Sequence, residues 1–170
     1  MQYELRPHTA DVGVAASADT LEETFAALAE GLAAASWDGL EAFQGPEDSS
    51  ARFDVTAVAE SREALLFEYL DELIYQRDIR LELPVDNRIE SLECVDESDD
   101  PTAVPEDSAA TADSSLSSSA VAIDRWRLEA SAHGISLESI DAREIKAITY
   151  ADMRLEETDS GWEAYVVFDV

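Results

Sequence analysis

Residues 144–170 hold the feature that most narrows the choice of fold. They read Glu144-Ile-Lys-Ala-Ile-Thr-Tyr-Ala-Asp-Met-Arg-Leu-Glu156, then Thr158-Asp-Ser-Gly161, then Trp162-Glu-Ala-Tyr-Val-Val-Phe-Asp-Val170. Two apolar, β-branched runs joined by an Asp-Ser-Gly turn predict a β-hairpin. Side chains alternate across a strand, so Trp162, Ala164, Val166 and Phe168 share one face, and Glu163, Tyr165, Val167 and Asp169 the other. A chain end is ordinarily frayed and polar. Here a strand runs to Asp169 and the carboxylate of Val170. Two anionic groups one residue apart repel unless a cation lies between them. The pattern points to an oxygen-rich metal site, with Asp11 of Arg6-Pro-His-Thr-Ala-Asp-Val-Gly13 as a third donor. The alternative is a last strand whose exposed aspartate has nothing to do with Asp11.

The rest of the chain supplies a sheet for that hairpin to join. Residues 2–6 and 12–17 read as short strands linked by 7–11, because Pro7 interrupts the pattern and Gly13 marks a bulge or a close backbone approach. Thr20 and Glu23 form a capping-box pattern ahead of a helix that ends near Ser36-Trp37. Its apolar stripe is Leu21, Phe25, Leu28 and Leu32, with Glu22, Glu23 and Glu30 facing outward. A turn-rich connection over 43–50 precedes a half-buried strand at 52–60. Ser61 then caps a second helix reaching about Arg77, with Leu66, Leu70, Leu73 and Ile74 as its stripe and Leu65 and Tyr69 alongside. Residues 79–83 and 88–95 read as strands flanking Pro84, and 120–132 as a long strand that turns at His133-Gly134. One helical turn follows over 136–142. Two main helices and seven or more strands, most of them linked as neighbours, predict an α+β fold with largely antiparallel β-sheets. At 170 residues the chain suits a single domain.

Charge decides what such a domain can touch. There are 39 acidic residues against 11 basic ones, a net charge of −28, and Lys146 is the one lysine among the basic residues. Acids spread along the whole chain with lysine nearly absent suit a protein working in molar salt, where the Debye length is about 3 Å. The rival reading is an acidic surface for a basic partner. Phosphate binding draws its affinity from lysine and arginine, so direct contact with nucleic acid or an anionic membrane is not expected. Between Arg88 and Arg125 no basic residue occurs. Residues 96–119 are mostly Asp, Ser, Ala, Thr and Pro, a composition that cannot bury enough apolar surface to order itself, and read as an acidic loop insertion. Cys94 is alone, which excludes an internal disulfide and a cysteine-based zinc site. No apolar run approaches the ~20 residues of a membrane span, and the N-terminus is no signal peptide. A cytoplasmic protein is expected.

Other polar residues admit more than one role. His8 can ligate a metal, shuttle a proton or bond the turn backbone. His133 beside Gly134 reads as a turn residue. Lys146 stands where arginine has been preferred everywhere else, which suits a compact ammonium contacting a partner or a phosphate, or a plain surface role. Asp152 lies close by. No nucleophile–base pair, P-loop or Gly-x-Gly-x-x-Gly is legible. That argues against an enzyme acting alone.

Four blocks carry a family resemblance. Pro7-His8-Thr9-Ala10-Asp11-Val12-Gly13, the helix Glu63-Ala-Leu-Leu-Phe-Glu-Tyr-Leu-Asp-Glu-Leu-Ile-Tyr75, the run Ile145-Lys-Ala-Ile-Thr-Tyr150, and Gly161-Trp162 to Phe168-Asp169-Val170 resemble the archeases, in the family's order. The resemblance covers most of residues 1–92 and 120–170 and lapses at the acidic segment. It implies a non-catalytic activator of the RtcB-type RNA ligase in tRNA splicing, promoting ligase guanylylation and multiple turnover, with tRNA met only through the ligase. It also implies that Asp11, Asp169 and the Val170 carboxylate bind a divalent metal ion, calcium first, with magnesium or manganese as alternatives. His8, Lys146 and Asp152 become candidates for contact with the ligase or its nucleotide. Archeases commonly carry histidine after the Thr-Tyr pair, where this chain has Ala151. Two other classes compete: a metal-dependent hydrolase using His8, Asp11 and Asp152, and a chaperone or general interaction module.

Overall fold

The computed structural model describes residues 2–8, 11–45, 52–95 and 125–170, with the backbone alone at 6–8. Among the described residues the strands are β1 (Gln2–His8), β2 (Asp11–Ala18), β3 (Phe53–Ala59), β4 (Glu82–Val95), β5 (Arg125–Ser136), β6 (Ala147–Thr158) and β7 (Gly161–Asp169); the α-helices are α1 (Leu21–Ser36) and α2 (Arg62–Arg80), with short 3-10 helices at Asp38–Ala42 and, within the expected helical turn, Leu137–Ser139. They form a four-stranded sheet ordered β1-β2-β7-β6 and a three-stranded sheet ordered β3-β5-β4. Every pairing is antiparallel. The architecture is α+β, as expected.

Helix α1 begins where the sequence places it. The Thr20 hydroxyl accepts from the Glu23 N–H at 3.2 Å, satisfying one of the orphan donors of the first turn. At the other end the Trp37 N–H bonds to the Ala33 carbonyl. The helix packs on β2 of one sheet and β4 of the other. It is therefore buried well beyond one stripe, with Ala26, Ala27, Ala29, Ala33, Ala34 and Ala35 all inside. Small side chains on both flanks let two sheets approach a single helix. At Gly31 an added Cβ would run into the Val14 side chain. Glu30, expected to face solvent, instead turns inward, and its Oε1 accepts from the Asn87 N–H at 2.6 Å and Nδ2 at 2.8 Å. A stripe argument assumes one covered face, and α1 has two.

Helix α2 is capped by Ser61, whose hydroxyl accepts from the Ala64 N–H at 3.1 Å. It extends to Arg80 and closes on Leu81 in the left-handed region, φ 56°. Ile79 is thus helical rather than the start of a strand. Arg77 and Arg80 in the last turn favour this extension, since they complement the negative helix end. The expected stripe is buried, and Tyr69 stacks on Phe25 of α1 with ring centroids 6.3 Å apart. At the N-terminus of α2 the Arg62 guanidinium lies 5.2 Å from the Trp126 ring and 5.1 Å from the Trp162 ring. One cation thereby ties β5 of one sheet to β7 of the other.

Several strand boundaries differ from expectation. β1 runs through Pro7 to His8, and β2 already starts at Asp11. β1 is an edge strand, where the missing N–H of proline breaks no ladder. For the same reason Pro84 sits inside β4, paired with Gly134, and 82–95 form one strand with register shifts between Val85 and Arg88 and between Ile89 and Ser91. β5 passes straight through His133-Gly134 instead of turning, because Gly134 leaves room for the Glu82 side chain across the pair. The closing hairpin forms as expected, with a register shift in β6 between Thr149 and Arg154. Val95 pairs with Arg125, so residues 96–124 join two paired strands. The acidic segment at 96–119 lies outside the described residues, as do 46–50 of the turn-rich connection and 120–124 of the long strand.

Candidate functional site

The strand order brings the two ends of the sequence together. β2 and β7 are the middle pair of the four-stranded sheet, and their register sets Asp11 directly opposite Asp169. On either side the row continues, with His8 opposite Asp11 on β1 and Ala147 opposite Asp169 on β6. Facing residues on antiparallel strands project to the same side. Val14, Val166 and Phe168 are fully buried against the helices, so alternation turns Asp11 and Asp169 to the outer face. Asp169 is exposed and Asp11 half-buried.

The neighbours of this row are held firmly. Ile145 is 1% exposed within the main core, and the next residue, Lys146, donates its backbone N–H to the Asp169 carbonyl at 2.8 Å. The Lys146 side chain is exposed. Val170 packs its side chain against the main core, which holds its backbone at the end of β7. Gly13 marks neither a bulge nor a backbone approach. The Tyr165 ring lies over it, and an added Cβ would strike that ring and its hydroxyl. This tyrosine, opposite Ala15 on the outer face and two outward rows from Asp11, carried no signal that sequence reasoning used.

Two carboxylates opposed across neighbouring strands are hard oxygen donors, the chemistry that calcium, magnesium or manganese takes. Among the described residues no group of three or more His, Cys, Asp or Glu side chains is arranged to hold a metal ion. The described side chains therefore offer two donors here, Asp11 and Asp169. Asp152 is not one of them. It lies in the part of β6 where the register shifts and lines a cleft of about 690 Å³ on the outer face. Asp11 is not part of that cleft's lining. Cys94 belongs to β4 of the other sheet.

A second polar cluster, on the three-stranded sheet, escaped sequence reasoning. Arg52 donates to Asp86 Oδ2 at 2.7 Å, to the Asp86 carbonyl at 2.7 Å, and to the Ser131 hydroxyl and carbonyl at 3.0 Å each. His133, on the strand rather than in a turn, places Nε2 3.8 Å from Asp86 Oδ2. Beside this cluster burial raises the Glu30 pKa, against the opposing pull of the Asn87 hydrogen bonds. Burial also raises the pKa of Tyr69, whose buried hydroxyl has no hydrogen-bond partner among the described residues. These groups join β4, β5 and the start of β3 at the register shift in β4, where Asp86 takes φ 48°.

Among the described residues no helix is long and apolar enough to cross a membrane. Comparison with known proteins matches residues 3–170 to the Archease protein family. Among curated relatives, the protein archease of Thermococcus gammatolerans is 31% identical over 99% of both chains, and that of Pyrococcus furiosus 28% over 99% of both. The solution structure of Methanobacterium thermoautotrophicum protein 1598 superposes with a TM-score of 0.65 at 22% identity, covering 99% of this chain and 98% of that one. That likeness bears on the fold. The family match extends over nearly the whole sequence and includes both the Asp11 and the Asp169 strands. This chain belongs to the Archease protein family.

Proposed function

We propose that this chain is a non-catalytic accessory protein of tRNA splicing that activates an RtcB-type RNA ligase, promoting ligase guanylylation and multiple turnover. The observation that carries the reading is the register that sets Asp11 opposite Asp169 at one end of the outer sheet face. Asp11, Asp169 and the Val170 carboxylate would hold a divalent ion, calcium first and magnesium or manganese next. When bound beside phosphates, such an ion neutralises negative charge that develops during nucleotidyl transfer. The protein's own residues do the placing. Ile145 and the Lys146–Asp169 backbone bond fix the row, and the exposed Lys146 ammonium is free to meet an anionic group of the ligase or its nucleotide. His8, opposite Asp11 on the edge strand, stands next to the same partner.

The test is guanylylation and repeated ligation by purified ligase, with and without this chain, in molar salt. Asp11→Ala should abolish stimulation of multiple turnover while the circular dichroism spectrum stays unchanged. Full stimulation by that variant would rule out the carboxylate site as the working part. The placement of Asp152 in the cleft gives no support to a hydrolase built on Asp11, His8 and Asp152.

A further inference from the structure

Among the described residues no element forms a second layer over the outer face of the four-stranded sheet, and that face is built in rows. One row sets Ser17 opposite Glu163 and Glu163 opposite Glu156; the next sets Glu4 opposite Ala15, Ala15 opposite Tyr165 and Tyr165 opposite Arg154. Together with Asp152 these residues line the cleft of about 690 Å³. Its lining carries four carboxylates against the single guanidinium of Arg154, with Ala15 and Tyr165 adding apolar surface between them.

Glu156 facing Glu163 is a like-charge pair in register, an arrangement that destabilises a sheet unless something offsets it. Nothing described in the protein does so. Asp152, Glu156 and Glu163 make no ion pair or side-chain hydrogen bond with a described residue. Among occupants, a second copy of a chain with net charge −28 would set acid against acid. Nucleic acid and anionic lipid are repelled for the same reason. An extended segment bearing arginine or lysine is attracted, and its aliphatic stems can lie along Ala15 and Tyr165.

We infer that this cleft docks a cationic segment of a protein partner, and, resting on the ligase reading, that the partner is the RNA ligase. The cleft and the Asp11–Asp169 row share one face. From Tyr165 to Asp169 is four residues along β7, about 13 Å. A segment seated in the cleft therefore aims its continuation at the carboxylate row, so cleft and row divide the work into docking and chemistry.

The experiment measures equilibrium binding of the purified full chain to its own RtcB-type ligase across a salt series. The double variant Glu156→Arg with Glu163→Arg reverses the rim while keeping one like-charge pair, so its thermal stability stays near that of the wild type. A control, Glu68→Arg with Asp71→Arg, makes the same net charge change at exposed positions on α2. Expected are binding that weakens with salt, a loss of about tenfold or more in the rim variant, and no comparable loss in the control. Equal losses in both variants would reduce the effect to net charge and overturn the docking cleft. Unchanged binding by the rim variant, or self-association of the wild type abolished by it, would also overturn it. A wild-type chain that binds no ligase would sink the ligase reading and this inference together.

Discussion

Replacing Asp169 with asparagine should make the metal-free protein more stable and the calcium-loaded protein less so. Asp11 and Asp169 face each other across β2 and β7, a geometry in which facing Cα atoms lie about 5 Å apart. Two unit charges at that distance repel by about 0.8 kcal/mol in a water-like dielectric and about 3 kcal/mol at an effective value of ~20. Asp169 is exposed and Asp11 half-buried, so solvent screening sets the gain near the lower bound, about 1 kcal/mol at low salt. In molar salt, with a Debye length of about 3 Å, most of it should vanish. On the proposed reading a bound ion should reverse the sign. For the wild type, calcium at a hundredfold excess over its Kd should add about 2.7 kcal/mol of stability, and the variant should lose most of that. Urea titrations followed by circular dichroism measure both, in chelator and in calcium, at low and molar salt. The carbonyl of residue 169 still accepts from Lys146 in the variant, so the backbone frame is unchanged. A variant less stable than wild type in chelator, or an equal calcium gain in both proteins, would refute the shared-cation argument.

Three further outcomes test the frame around the site. Gly31→Ala forces a methyl into the Val14 side chain at the α1–β2 contact, and should destabilise by about 1–3 kcal/mol, read as a lower urea midpoint. Glu30→Gln tests the buried carboxyl. Its folded-state pKa is raised by burial, so Glu30 adds stability below its ordinary value, and that contribution drains away as pH rises through the raised one. The glutamine variant should lack this decline, and subtracting the two stability–pH curves cancels the other carboxylates. Arg62→Ala removes the cation between Trp126 and Trp162 and should cost about 1–2 kcal/mol, whereas Arg62→Lys should restore part of it in the same melt.

What the sequence made legible follows from how local each signal is. Helix starts were readable because a cap is a contact between neighbours, and both Thr20 and Ser61 make the expected bond. The closing hairpin was readable for the same reason. Edges were not. Pro7 and Pro84 looked like strand breakers, and only the sheet order shows that each lies on an outer strand where no donor is needed. The inward turn of Glu30 was equally hidden, because its partner Asn87 is on a strand from the other sheet. The cluster around Arg52 gathers side chains from two strands and from the residue just before a third, which no local pattern connects.

The candidate site sits between these cases. The types of its residues were visible, but their meeting depends on register. Side-chain period along a strand is two, so a slip of one residue would turn Asp169 toward the helices and an apolar neighbour outward. The buried residues prevent that slip. Val12 opposite Phe168 and Val14 opposite Val166 must all face the helices to join the core, and burial of side chains this size is worth about 1.5–3 kcal/mol each. Slippage would forfeit several such terms at once, far more than the repulsion of one carboxylate pair. The apolar face of β2 and β7 therefore holds Asp11 against Asp169 although their charges oppose it. That is the condition for a site whose donors are in place before any cation arrives.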